Sequence, residues 1–287
     1  MLSVKSLPFL QHQPHALKSV FLSTFRSHTI LSPSTTRRAL RLPLTALSLL
    51  RDVPASPRSY SPTMSSSDQI IEHLVFFAVS PDAAPSKPDE MISGLRSLTS
   101  LDSVAHLTAG PIFKNRSSAF GKFTHMLHSR YRSKSDLGSY TGDPAHVKVV
   151  KESVLPVCDD IMAVDWVADV AGGVVVPPPG SALRVTLLKP KEGIAAEEKA
   201  ELMRVVGGIK ESFPELVDYV SFGENFSPAR AKGFELGFIA VFPGVKELEA
   251  LDAMGEMVEL QKEKVRHLLE SVFVVDYAIP QQSSSSL

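Results

Sequence analysis

Hydrophobic and polar positions along this chain alternate between two periods, and the switches mark out its elements. Ile70 to Val79, IIEHLVFFAV, is rich in β-branched and aromatic residues and too short for a confident helix, so it reads as a strand with His73 on the face of Ile71, Val75 and Phe77. Met91, Leu95, Leu98 and Leu101 then recur at helical spacing. Val104 to Ala109 predicts a second strand, and Phe120 to Tyr131 a third, with Phe123, His125 and Leu127 on one face. After a short helical turn near 135–140, Asp143 and Pro144 form a helix start, because Asp caps free N–H groups and Pro at the first position gives up a donor that had no partner. Val147, Val150 and Val154 make one apolar stripe, Pro156 ends it, and Ile161 to Val167 is a last strand.

This β-α-β-β-α-β order is the ferredoxin-like arrangement, with helices on one face of an antiparallel sheet. It occurs twice. Ser139 to Val167 returns in altered form as Leu251 to Ile279, where Val-Asp-Trp at 164–166 becomes Val-Asp-Tyr at 275–277. Upstream, Gly110 to Phe113 aligns with Gly223 to Phe226, and Phe120 to Met126 with Gly233 to Ile239. The fold class is therefore α+β, two tandem ferredoxin-like domains at 68–170 and 181–280, separated by a Gly- and Pro-rich linker at 171–180. The second copy predicts strands at 182–188, 217–222 and 234–242, one helix carrying Leu202 to Phe213, helices between Val245 and Ser271, and a strand to Tyr277. Each sheet has a face without helices, which the other copy can cover by packing sheet on sheet into a barrel.

The 287 residues are 44% apolar, and no run is long enough to predict a membrane span. Net charge is −1 because two unlike parts cancel: residues 1–63 hold eight Lys/Arg against one acid, the remainder 22 against 30. The mildly acidic body has no basic stripe with interleaved aromatics, so nucleic acid is not an expected partner. The basic, Ser- and Pro-rich stretch 1–63 has the composition of a plastid or mitochondrial presequence or a disordered extension, and Met64 offers a second start. The single cysteine, Cys158, excludes an intramolecular disulfide framework and reads as a half-buried thiol at the edge of an apolar strand.

Five of the nine histidines, His73, His106, His125, His128 and His146, lie in the first copy, against His267 alone in the second. The EHLVFF strand, the glycine after the second strand, Tyr140 six residues before His146 in GDPAH, and the closing aspartate-aromatic strand together resemble the stress-response A/B barrel (Dabb, dimeric α+β barrel) proteins of plants. The resemblance covers both copies, is weaker in the second, and is nearest to tandem-domain members directed to peroxisomes. It implies a protein of the stress response, non-catalytic or binding a small hydrophobic ligand, that self-associates as a homodimer. The alternative it implies is an olivetolic-acid-cyclase-like polyketide cyclase, a lyase-type enzyme with His146 and Tyr140 as the catalytic pair and His73 and His125 lining the pocket. It requires no cofactor; the Mg2+ that some members hold on backbone carbonyls would here sit at Leu98, Leu101 and Val104. The tail 281–287 ends in Ser285, Ser286 and Leu287, similar to a peroxisomal address read by the import receptor, so the peroxisome is the expected location, with the plastid or mitochondrion as the alternative through 1–63.

Overall fold

A computed structural model of the chain describes residues 69–169 and 176–281. The presequence stretch, the start at Met64, linker residues 171–175 and the Ser285–Leu287 address lie outside the described residues.

The first repeat runs β1 (Gln69–Val79), α1 (Lys87–Ser97), β2 (His106–Pro111), β3 (Lys114–Asn115), β4 (His125–Tyr131), α2 (Lys134–Gly142), α3 (Pro144–Val149) and β5 (Cys158–Asp169). The second runs β6 (Ala182–Pro190), α4 (Ala196–Gly207), α5 (Ile209–Ser212), β7 (Tyr219–Glu224), β8 (Leu236–Phe242), α6 (Val245–Ala253), α7 (Gly255–Arg266) and β9 (Leu269–Ala278). Ser133 and Asp143 cap α2 and α3 by accepting the N–H groups of Asp136 and Ala145 at 3.0 and 2.7 Å. The helix after Asp143 widens into a π turn, Val150–Val154, before Pro156.

Both sheets are antiparallel, in the orders β2-β4-β1-β5 and β3-β9-β6-β8-β7. The short strand β3 belongs to the first repeat in sequence and to the second repeat's sheet in space, where Lys114 and Asn115 pair with Asp276 and Val275. A mirrored bridge joins Trp166 of β5 to Asn225, just beyond β7. The helix-free faces pack on each other: Leu74, Phe76, Met162, Val164 and Trp166 meet Leu183, Val185, Phe273, Val275 and Tyr277 in one core. The barrel is thus closed within a single chain, each repeat covering the helix-free face of the other as the duplication led one to expect. Outer cores lie under the helices of each repeat.

Trp166 and Tyr277 hold mirrored places in this core. The Trp166 indole donates to Ser221 Oγ at 3.3 Å and Tyr277 shares a hydrogen bond with Thr108 Oγ1 at 2.9 Å, each ring reaching across to the other repeat. Gly237 and Gly223 make room for the indole. A Cβ on Gly237 would lie 2.3 Å from Trp166 Cε3, and one on Gly223 2.5 Å from the Val167 carbonyl.

Several predicted elements shift. The third strand begins at His125, not Phe120, because the Asn115 amide donates to the Phe120 and Phe123 carbonyls and holds that stretch as a loop. The single helix expected from Leu202 to Phe213 breaks at Gly208, which ends α4 and precedes α5. The last helix ends at Arg266 and β9 starts at Leu269, ahead of the expected Ser271. The strand registers also correct the repeat alignment. Ile71 pairs with Tyr131 as Ala182 pairs with Phe242, and Phe77 with His125 as Leu188 with Leu236, so His125 matches Leu236 and not Phe238. The connection from Pro111 to His125 is two residues longer than that from Glu224 to Leu236, which is where the sequence offset changes.

Candidate functional site

Alternation along β1 and its neighbours sends two sets of polar side chains to opposite faces of the first sheet. On the helix face, the register sets His73 opposite Asp165, and His73 Nδ1–H donates to Asp165 Oδ1 at 2.5 Å. Tyr131 and Ser129 of β4 share this face and a 2.9 Å hydrogen bond. From above, α2 and α3 bring Tyr140 and His146, with the Tyr140 ring 5.2 Å from Tyr131, 6.2 Å from His73 and 4.5 Å from His146. His73, Asp165, Tyr131 and Tyr140 are buried, and His146 is half-buried.

His146 is the group whose chemistry the surroundings define most closely. Its Nδ1–H donates to the Thr141 carbonyl at 3.1 Å, which leaves the lone pair on Nε2. Burial, with the His73 ring and the Arg230 guanidinium nearby, holds its pKa down to about 4, so the ring is neutral at pH 7. Burial pushes the Tyr140 phenol well above its ordinary value, so it stays protonated and able to donate. Asp165 is buried, which alone would raise its pKa, but His73 and Arg230 outweigh this and keep it an anion.

Arg230, from the turn after β7, reaches across from the second repeat and donates from Nη2 to Asp165 Oδ2 at 2.6 Å. Sequence reasoning missed it, and it passed over Asp165 except as part of the repeated Val-Asp-Trp motif. Tyr131 was also missed, although its alternation with Leu127 carried the signal. Of the predicted site residues, His73, Tyr140 and His146 come together. His125 sits four positions down β4 from Ser129, the partner of His73, and its ring pairs with Thr124 Oγ1 at 2.9 Å. The carbonyls of Leu98 and Leu101 accept the N–H groups of Leu101 and Val104 at 3.2 and 2.9 Å. Backbone carbonyls are hard oxygen ligands of the kind Mg2+ takes. No group of three or more His, Cys, Asp or Glu side chains among the described residues is placed to hold a metal. Cys158 opens β5 with its thiol 3.6 Å from Met91 Sδ, and burial pushes its pKa up to about 12, far from a reactive thiolate.

The opposite, barrel-facing side carries a second polar set. Glu72 accepts from Arg130 at 2.7 Å and from His128 Nε2–H at 2.7 Å, all three fully buried, and Arg130 also donates to Tyr219 of the second repeat at 2.8 Å. Burial opposes the Glu72 charge, but Arg130 and His128 hold its pKa far below the usual carboxylate range. His106, its ring 5.3 Å from His128, is held down to about 3 by burial.

At the helix face of the second repeat, Arg184 stands where the first has His73, paired with Asp276 at 2.8 Å. Arg116, sent across by the first repeat, donates to Asp276 at 2.6 Å, and both arginines also pair with Asp252. By the same register Phe242, Leu251 and Met257 replace Tyr131, Tyr140 and His146. This half has no counterpart of the histidine–tyrosine pair.

No helix among the described residues is long and apolar enough to cross a membrane. The fold has a solved counterpart in a monooxygenase candidate from Fusobacterium nucleatum, 13% identical, with a TM-score of 0.53 over 74% of this chain and 93% of that one. Two Arabidopsis thaliana proteins, both described as stress-response A/B barrel domain-containing proteins, are much nearer in sequence. One is 51% identical over 80% of this chain and 88% of its own length. The other is 43% identical over 75% of this chain and 99% of its own. The profile of the stress responsive A/B barrel domain (Dabb) matches residues 71–168 and again 183–279, and the chain belongs to that family, with two copies of its domain.

Proposed function

We propose that the first repeat binds a small, largely apolar molecule carrying a carbonyl or hydroxyl group beside His146 and Tyr140, and that the second repeat is the structural half of a stress-response barrel. The observation that carries this is the fixed state of His146: Nδ1–H is committed to Thr141, and a neutral Nε2 is left as an acceptor next to a protonated phenol. A donor–acceptor pair at the edge of an apolar core suits one polar group on an apolar ligand. Trp166 faces the barrel, on the other side of the sheet, so binding is best read from ring-nitrogen NMR and thermal shift, not tryptophan fluorescence. Titration of the full chain with aromatic and aliphatic β-keto acids is expected to move the His146 resonances and raise Tm, and His146→Ala is expected to abolish both. Saturable binding that survives His146→Ala unchanged overturns the reading.

The same pair supports a second reading, as a polyketide cyclase. Neutral Nε2 would take a proton from the carbon α to one carbonyl while the Tyr140 hydroxyl donates to the enolate oxygen; the enolate carbon would then attack a second carbonyl of the chain, whose π bond opens to an alkoxide that takes the proton back from His146. Product formation from a linear polyketide thioester no faster than with His146→Ala removes it. We also propose peroxisomal import through Ser285, Ser286 and Leu287; a fluorescent protein fused after Leu287 should abolish punctate localisation, and unchanged puncta would refute it.

A further inference from the structure

We infer that Arg230 is a positioning residue supplied by the second repeat, and that the acid–base site of the first repeat is assembled from both repeats. This rests on the site reading given under the proposed function and adds to it the group that sets the site's geometry.

One segment of the second repeat grips Asp165 at three points. Asn225 Oδ1 accepts the Asp165 N–H at 3.1 Å, Phe226 N–H donates to the Asp165 carbonyl at 2.9 Å, and Arg230 Nη2 donates to its carboxylate at 2.6 Å. The segment is itself braced. Asn225 Oδ1 also takes the Ser227 N–H at 2.9 Å, its amide donates to the Phe234 carbonyl at 2.9 Å, and Arg230 lies 3.3 Å from Ser227 Oγ. The Phe226 ring packs against the first repeat's outer core, under the Lys134 ammonium at 4.2 Å.

A carboxylate has two oxygens; the Ser227 side chain also hydrogen-bonds the Asp165 carboxylate, and each oxygen has its own main partner. Oδ2 is held by Arg230 and Oδ1 takes the His73 Nδ1–H, so the guanidinium fixes the plane of Asp165 and Asp165 fixes the imidazole. His73 in turn stands edge-on to Tyr131 and Tyr140 at 6.2 Å. The charged and titratable groups facing His73 are therefore Asp165 of β5, Tyr131 of β4, Tyr140 of α2, His146 of α3 and, through Asp165, Arg230. The mirrored contact shows that the grip is a feature of the fold and that its use differs. Phe113 N–H donates to the Asp276 carbonyl at 2.9 Å and Arg116 to the Asp276 carboxylate at 2.6 Å, but there the other oxygen serves Arg184. Only the copy with a histidine in that place turns the crossing arginine toward an acid–base group.

The test is ring-nitrogen NMR of the full chain as Arg230→Gln and Arg230→Lys, with Trp166 fluorescence as the check that the barrel is intact. The native chain and Arg230→Lys are expected to show a far-downfield, exchange-protected His73 Nδ1–H. Arg230→Gln is expected to lose it and, with one positive charge removed from its vicinity, to titrate His146 at higher pH. If Arg230→Gln destabilises the barrel, Arg230→Met, which keeps the apolar stem and removes only the guanidinium, takes its place, with the same loss of the His73 signal expected. A His73 Nδ1–H and His146 titration unchanged in an intact Arg230→Gln chain overturn the inference. These readouts need no ligand. A chain that binds none of the keto acids while Arg230→Gln still moves both signals sinks the ligand-binding reading and leaves this one standing.

Discussion

Strand for strand the two repeats keep the same register, yet they fill the two faces of their central strands by different means. Toward the barrel, the first repeat places Glu72, His128 and Arg130 where the second has Leu183, Ile239 and Val241. Toward the helices, the first has His73, Tyr131, Tyr140 and His146, and the second Arg184, Phe242, Leu251 and Met257. The second repeat shows that apolar residues and a closed salt-bridge cluster satisfy this fold. The first repeat's titratable groups are therefore additions to it, not requirements of it, and that difference marks the half in which chemistry is to be sought.

The largest test of the comparison is on the barrel face. Arg130→Val copies the second repeat's residue but leaves the buried Glu72 carboxylate with His128 alone, and urea unfolding should show a loss of about 3–5 kcal/mol. Replacing Glu72, His128, Arg130 and Tyr219 together by Leu, Ile, Val and Phe removes the charged set as a whole and should be neutral or stabilising. A quadruple variant as unstable as the single one would mean that the charged set does something its apolar counterpart cannot. Next is the pair of mirrored rings. Gly237→Ala drives a methyl into the Trp166 indole and should cost about 1–3 kcal/mol in thermal unfolding. Gly110→Ala meets the Tyr277 hydroxyl at 3.2 Å and should cost less.

Acid should act through the first repeat. His106 and His146 are held down to about 3 and about 4 from an ordinary 6.5, so the unfolded chain binds protons that the folded chain refuses. Stability should be complete above pH 6.5 and fall as pH drops below it. A further loss follows lower down, where Glu72 and Asp165, held below the usual carboxylate range, must be protonated. Denaturation midpoints at pH 7.5 and 5 check this, and His106→Gln should flatten the first part of the fall. The smallest effect is at the proposed site. His146→Met, the second repeat's own residue, should cost no more than about 1 kcal/mol, because the ring is half-buried and its one hydrogen bond goes to a backbone carbonyl; ligand binding should be lost all the same.

Much of the fold was legible because it rests on short-range rules. The alternation in IIEHLVFFAV, the Asp143–Pro144 start and the duplicated aspartate-aromatic strand each state local structure, and the duplication supplied the sheet-on-sheet packing. The site was legible only as far as one repeat's own residues went. His73, Tyr140 and His146 were within reach of motif and alternation, but Arg230 lies 65 residues from its partner Asp165, on a turn with no periodicity. The Glu72–Arg130 pair is hidden for the same reason: a charge in an apolar run reads as exposed until the register shows what faces it. His125 shows the converse, since alternation fixes the face of a strand and not the distance along it.

The crossed segments, Phe113 to Arg116 into the second sheet and Asn225 to Arg230 onto the first, also bear on how the protein is made. The ribosome releases the first repeat while the barrel face of its sheet, with Trp166, has nothing to lie against, and while the groups that grip Asp165 do not yet exist. At ordinary translation speeds the missing 110 or so residues take roughly 5–20 s. During that interval an unfinished chain carries an apolar sheet and a β3 segment with no strand to join, so the first repeat completes its fold only once the second has been made.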